Sequence, residues 1–123
     1  MRLLPLILLI VSCAASAEWK LLSTQINGRD LYIDPDTVQK IGTKRRAWIL
    51  ENYAEKEDEV LSTLNFIEFD CTEKKIRSLQ QDWYTEERGS GKRVTPEGLA
   101  ESAWKYPVPK TAIYYAMQGV CKK

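Results

Sequence analysis

The sequence predicts an α+β domain: an antiparallel β-sheet of about six strands with a C-terminal α-helix packed on one face and tethered by a disulfide. Three observations carry this. Short runs that alternate apolar and polar residues, separated by turn signals, fill the stretch from Trp19 to Tyr84; apolar spacing becomes helical only after Thr111; and Cys71 and Cys121 stand at the end of the run 64–71 and at the end of that helix. A chain of 123 residues suits a single small domain.

The elements follow in order. Residues 19–22 form a first strand, Asn27-Gly28 a hairpin signal, and residues 31–33 the returning strand. Asp34-Pro35 caps one short helical turn, with proline at the first helical position where its missing N–H costs nothing. Residues 38–41 lead to a turn at Gly42-Thr43. The central strand is residues 45–53, where Arg46, Trp48 and Leu50 alternate with Ala47, Ile49 and Tyr53, so both faces carry apolar groups and both require cover. Residues 55–59 (EKEDE) read as a solvated charged connector rather than a cation loop, since no glycine supplies the sharp turn a Ca²⁺ loop needs.

In residues 64–71, Ile67, Phe69 and Cys71 share one side. Thr72-Glu73-Lys74 turns the chain into residues 75–84, where Ile76 and Tyr84 fall on one parity and Leu79 and Trp83 on the other. The polar stretch 85–98, with its Gly89-Ser90-Gly91 core, reads as a mobile loop. Pro107 and Pro109 force residues 104–109 into an extended form. Thr111 is the N-cap of a short helix in which Ile113, Ala116, Met117, Val120 and Cys121 share a face. Tyr114 and Tyr115 are neighbours on that helix, so one of them is exposed.

Residues 1–17 carry one positive charge at Arg2, an apolar run far too short to span a membrane, and an Ala-x-Ala ending, which together predict a secretory signal ahead of a domain of residues 18–123. Removing it discards Arg2 and leaves basic and acidic residues equal in number. An alternative cleavage is open, because Ile10-Val11-Ser12-Cys13 fits a lipobox in which Cys13 is lipidated; only then does the chain meet a membrane. Under either reading Cys71 and Cys121 are the remaining pair in an oxidising compartment and are predicted to form a disulfide.

Histidine is absent, which removes Ser-His and Cys-His catalysis and imidazole metal sites. The residues therefore predict a protein that is not an enzyme, with no catalytic residues, no cofactor and no metal site. Gly89-Ser90-Gly91-Lys92 lacks the spacing of a phosphate-binding loop. The pairs Asp34 with Asp36 and Glu68 with Asp70 are spaced as ordinary carboxylates on one strand face. Three basic clusters remain as candidate ligand-binding residues: Lys44, Arg45 and Arg46; Lys74, Lys75 and Arg77; Arg88, Lys92 and Arg93. Such clusters bind sulfated polysaccharide or an acidic protein segment. Nucleic acid is excluded by export and the lack of excess positive charge. Of four Trp and six Tyr, Trp19, Trp48 and Trp83 are assigned to the core or the sheet faces.

The order of several features carries a resemblance: Trp19, Tyr32-Ile33-Asp34-Pro35, Arg46-Ala47-Trp48, Asn52-Tyr53, Phe69-Asp70-Cys71, Tyr84, Gly89-x-Gly91, residues 104–109 and the closing Val120-Cys121. In this order and spacing the chain resembles the surface-adhesin protein E family of Gram-negative bacteria over nearly all of residues 18–123. One departure stands at Lys110-Thr111, where the family pattern has Gly-Ser; the hydroxyl cap is kept and the glycine is not.

The resemblance implies a curved sheet with the helix on its concave side, cell-surface or periplasmic localisation, dimerisation, and binding to host matrix and serum proteins such as laminin, vitronectin and plasminogen. A second expectation is a periplasmic or envelope interaction or inhibitor protein with no host ligand. Periplasmic lysozyme inhibitors of this size carry a Ser-Gly-x-x-Tyr loop, whereas Ser90-Gly91 here is followed by Lys92-Arg93-Val94.

Overall fold

A computed structural model describes residues 3–5, 18–24, 28–97, 99 and 101–122, without the side chains of residues 23 and 24. The predicted cleavage sites, Cys13, Asn27 and Gly98 lie outside the described residues. Six strands, β1 (Lys20–Thr24), β2 (Arg29–Ile33), β3 (Gln39–Ile41), β4 (Lys44–Glu57), β5 (Val60–Asp70) and β6 (Lys75–Tyr84), form one sheet in the order β1-β2-β4-β5-β6, with β3 also on β4. All pairings are antiparallel. One helix, α1 (Ala112–Val120), closes the chain.

Strands β2 and β3 lie along successive parts of β4, β2 opposite Ile49 to Tyr53 and β3 opposite Lys44 to Arg46. Between them Pro35–Thr37 form a single 3-10 turn, which the Asp34 side chain caps by accepting from the Asp36 N–H at 3.1 Å. The central strand is longer than its apolar pattern. Glu55, Lys56 and Glu57 belong to β4 rather than to a connector, and the turn is the two residues Asp58 and Glu59, both at positive φ (47° and 70°) as a tight hairpin of this twist requires. The pair Glu57 and Val60 closes the ladder on either side.

A bulge shifts the β5–β6 register: Ile67 faces Ser78 while Phe66 faces Gln80, so Leu79 is the extra residue. The bulge reverses every face downstream of it. Ile76 lies in the core beneath the helix, whereas Tyr84, opposite Ser62, lies on the other side of the sheet, so the shared face predicted for Ile76 and Tyr84 does not hold.

The core lies between sheet and helix. Leu31, Ile33, Ala47, Ile49, Ile67, Phe69 and Ile76 from the sheet meet Ala112, Ala116, Met117 and Val120 from α1. Thr111 caps the helix, its Oγ1 accepting from the Tyr114 N–H at 3.4 Å. Tyr114 packs against the core, and Tyr115 is the exposed neighbour. Cys71 and Cys121 form the predicted disulfide with Cα atoms 5.5 Å apart, closing a separation of 50 residues. In the chain-entropy model such a closure contributes about 4 kcal/mol, and a nine-residue helix needs it, since isolated helices of this length are marginal.

The stretch after β6 is pinned to the sheet, not detached from it. The Arg88 N–H donates to Asn52 Oδ1 at 2.8 Å, the Gly89 N–H donates to Ser62 Oγ at 2.9 Å, and Ser62 Oγ donates to the Glu86 carbonyl. Gly89 is at φ 69°, and a Cβ there would stand 2.9 Å from Leu64 Cδ1, so the backbone itself covers Leu64 on the face away from the helix. Further along, the chain runs beside β6, where Lys105 and Ile76 exchange two 2.8 Å backbone hydrogen bonds.

Candidate functional site

Antiparallel partners share a face, so the register of β4, β5 and β6 dictates which charges meet. On the face away from the helix, Lys44, Asp70 and Lys75 form one row across three strands, and Arg46, Glu68 and Arg77 form the next. Each row reads cation, carboxylate, cation. Trp48 and Phe66, stacked with ring centres 4.9 Å apart, continue the face in the third row.

The central carboxylates are consumed by the fold. Glu68 is 1% exposed, with Arg46 Nε 2.7 Å from Oε2 and Arg77 Nη2 and Nε 2.8 and 3.0 Å from Oε1. Burial alone would raise its pKa, but the hydrogen bonds and charges of Arg46 and Arg77 outweigh burial and hold the carboxyl below its ordinary range. Asp70 accepts from the Glu73 and Thr72 backbone N–H groups at 3.0 and 3.1 Å. The Glu73 hydrogen bond chiefly lowers its pKa; burial opposes, and the Thr72 bond and the charges of Lys75 and Lys44 add to the lowering.

Trp104 stands beside this grid, because pairing of Lys105 with Ile76 on the helix side turns its neighbour to the opposite side. Its ring centre lies 4.6 Å from the Arg77 guanidinium carbon, 5.2 Å from Lys75 Nζ and 5.7 Å from Lys44 Nζ. The aromatic face offsets part of the repulsion among the three cations. Among the described residues neither Lys44 nor Lys75 forms an ion pair, while Glu101 approaches Arg77 Nη1 at 3.8 Å. The outward charge of the face is therefore positive.

Of the nine basic residues singled out from the sequence, the register brings together Lys44, Arg46, Lys75 and Arg77. The others are elsewhere. Arg45 sits opposite Phe69 on the other face and donates to the Gly42 and Lys44 carbonyls at 3.0 and 2.9 Å. Lys74 is in the turn beside Cys71, next to Tyr114 and Cys121. Arg88 lies over the Tyr32 ring at 5.3 Å, Arg93 is held by Asp82 at 2.7 Å, and Lys92 is exposed. Sequence reasoning missed Trp104 and the counter-charge role of Glu68. The signal was the matched alternation Lys44/Arg46, Glu68/Asp70 and Lys75/Arg77, which becomes a site only once the register aligns the three strands.

A second cluster, Arg29 with Glu51 at 2.8 Å, with Glu57, and over the Tyr53 ring at 4.2 Å, occupies the helix-side face beyond the helix. Burial raises the Glu51 pKa and the charge of Arg29 only partly offsets it. Among the described residues no helix is long and apolar enough to cross a membrane.

The family model described as surface-adhesin protein E matches residues 19–122. Among solved structures, Haemophilus influenzae protein E in crystal form II is 20% identical, with 86% of this chain and 88% of that one covered and a TM-score of 0.68. Protein E from non-typeable Haemophilus influenzae is 18% identical, with 89% and 78% covered and a TM-score of 0.62. No curated protein matches the chain.

Proposed function

The chain belongs to the surface-adhesin protein E family, and from that membership we propose that it is an exported, non-enzymatic binding module at the cell surface that grips an acidic segment of an extracellular host protein. Laminin, vitronectin and plasminogen are the partners to test first. Residues 1–17 act as the export signal, with Cys13 as the lipidation point if the lipobox is used, and residues 18–123 as the binding domain.

The observation that supports this reading is the double row Lys44, Asp70, Lys75 and Arg46, Glu68, Arg77 beside Trp104. The buried Glu68 holds both arginines in place, so these two cations are presented at little ordering cost. A charged face of this kind acts through complementarity and association rate, and its binding weakens with salt.

Whole-cell protease accessibility and the intact mass of the native protein test the placement. A chain beginning at lipidated Cys13 that is shaved from intact cells supports surface display. A chain beginning at Glu18 and protected until the outer membrane is opened replaces this reading with a periplasmic partner.

A further inference from the structure

Charge alone does not account for the composition of the basic face. Arg46 gives only its Nε to Glu68, at 2.7 Å; among the described residues its two Nη groups have no partner, and the side chain is 35% exposed. A guanidinium fixed at one end to a buried carboxylate presents its remaining N–H groups in a set direction, ready for charge-assisted hydrogen bonds to an anion. One row further on, about 7 Å along the strand, Trp48 stands on the same face. It is stacked on Phe66 of β5, and both rings are half-buried, so each keeps part of its surface open to solvent. On the other side of Arg46, the cations of Arg77, Lys75 and Lys44 gather within 4.6 to 5.7 Å of the Trp104 ring centre.

Free donors and cations thus adjoin an aromatic shelf in consecutive rows. A carboxylate satisfies the cations but leaves the shelf empty. A plain aromatic side chain fills the shelf but brings no charge. The group that meets both demands is an anion carried on a ring, with several terminal oxygens to accept from more than one donor. In an extracellular protein that group is O-sulfated tyrosine, because tyrosine sulfation modifies chains that pass through the secretory pathway.

We infer that the basic face recognises a sulfated tyrosine within the acidic segment it grips, with the sulfate at Arg46 and its neighbouring cations and the phenyl ring on the Trp48–Phe66 pair. The inference rests on the reading of this face as a grip for an acidic extracellular segment, and it names the side chain at the centre of that segment.

The test is calorimetric titration of the oxidised protein at low salt with one short acidic peptide made in three forms, its central residue being tyrosine, O-sulfotyrosine or glutamate. Sulfotyrosine and glutamate carry the same charge, so their ratio reports the ring, while tyrosine reports the charge. The sulfotyrosine peptide is expected to bind at least about fivefold tighter than either other form, the worth of one aromatic contact or one hydrogen bond. In folded Trp48→Leu and Phe66→Leu variants the preference over glutamate falls toward unity while affinity for the glutamate peptide holds. Equal binding of the sulfotyrosine and glutamate peptides overturns this inference and leaves the acidic-segment reading standing; no binding by any form overturns both. A preference undiminished in both variants overturns the seat on the Trp48–Phe66 pair. A heparin disaccharide that binds tighter than the sulfotyrosine peptide, though it lacks the ring, overturns the inference in favour of a sulfated saccharide.

Discussion

Arg77 holds Glu68 and Trp104 at once: its Nη2 is 2.8 Å from Glu68 Oε1, and its guanidinium carbon is 4.6 Å from the Trp104 ring centre. Through this one side chain the buried counter-charge of β5 sets the position of an aromatic residue that lies outside the six strands. Glu68→Ala strips Arg46 and Arg77 of their common partner. Both arginines are partly exposed, so the cost is discounted from that of a fully buried pair to about 2 kcal/mol. Thermal melts of the variant should show Tm lower by about 10 °C, with Trp104 fluorescence altered in the folded state; an unchanged Tm removes the anchoring role.

Acid should weaken the fold through the same residues. Glu68 and Asp70 have pKa values below their ordinary ones, so their contribution is complete above the unfolded values near pH 4 and is lost as pH falls through the folded ones. Glu51 runs the other way: its folded value is raised, so it disfavours the fold as pH rises through the interval above pH 4. Urea midpoints between pH 2 and pH 7 should fall steeply below about pH 4, and the fall should be shallower in Glu68→Gln. A profile identical to that variant's would show that Glu68 does not contribute.

Reduction of the disulfide should release the helix before the sheet. Far-UV circular dichroism of the Cys71→Ser, Cys121→Ser double variant is expected to lose helical signal, with stability lower by about 4 kcal/mol. Intact helical signal with native Tm would mean that packing of Ala112, Ala116, Met117 and Val120 suffices.

Gly89→Ala places a Cβ against Leu64 at a left-handed backbone position. The expected cost is about 1–3 kcal/mol, and hydrogen exchange at the Arg88 and Gly89 amides should quicken because their bonds to Asn52 and Ser62 depend on the close approach. Unchanged exchange would show that the loop accommodates the methyl group.

The strand pattern, the Asp34 cap, the Thr111 cap and the disulfide were legible because each rests on simple signals: period, a capping side chain, or the two cysteines of residues 18–123. The Leu79 bulge was not legible, since one inserted residue leaves composition and hydropathy intact while reversing the face of Tyr84. The extension of β4 to Glu57 was hidden by its charge, which a strand rising beyond the core tolerates. Neighbours in sequence misled at the basic clusters: Arg45 lies between Lys44 and Arg46 in the chain yet points to the other face. The site is a property of register across three strands, and no single segment contains it.

The most direct test of the basic face is the Lys44→Ser, Lys75→Ser double variant, which removes the two cations without ion pairs and leaves Glu68 fully partnered. Binding to laminin, vitronectin and plasminogen is measured by surface plasmon resonance from low to physiological salt. The account predicts native Tm, affinity for the bound partner about tenfold weaker at low salt, and a flatter salt dependence. Unchanged affinity and salt slope in a folded variant would contradict it.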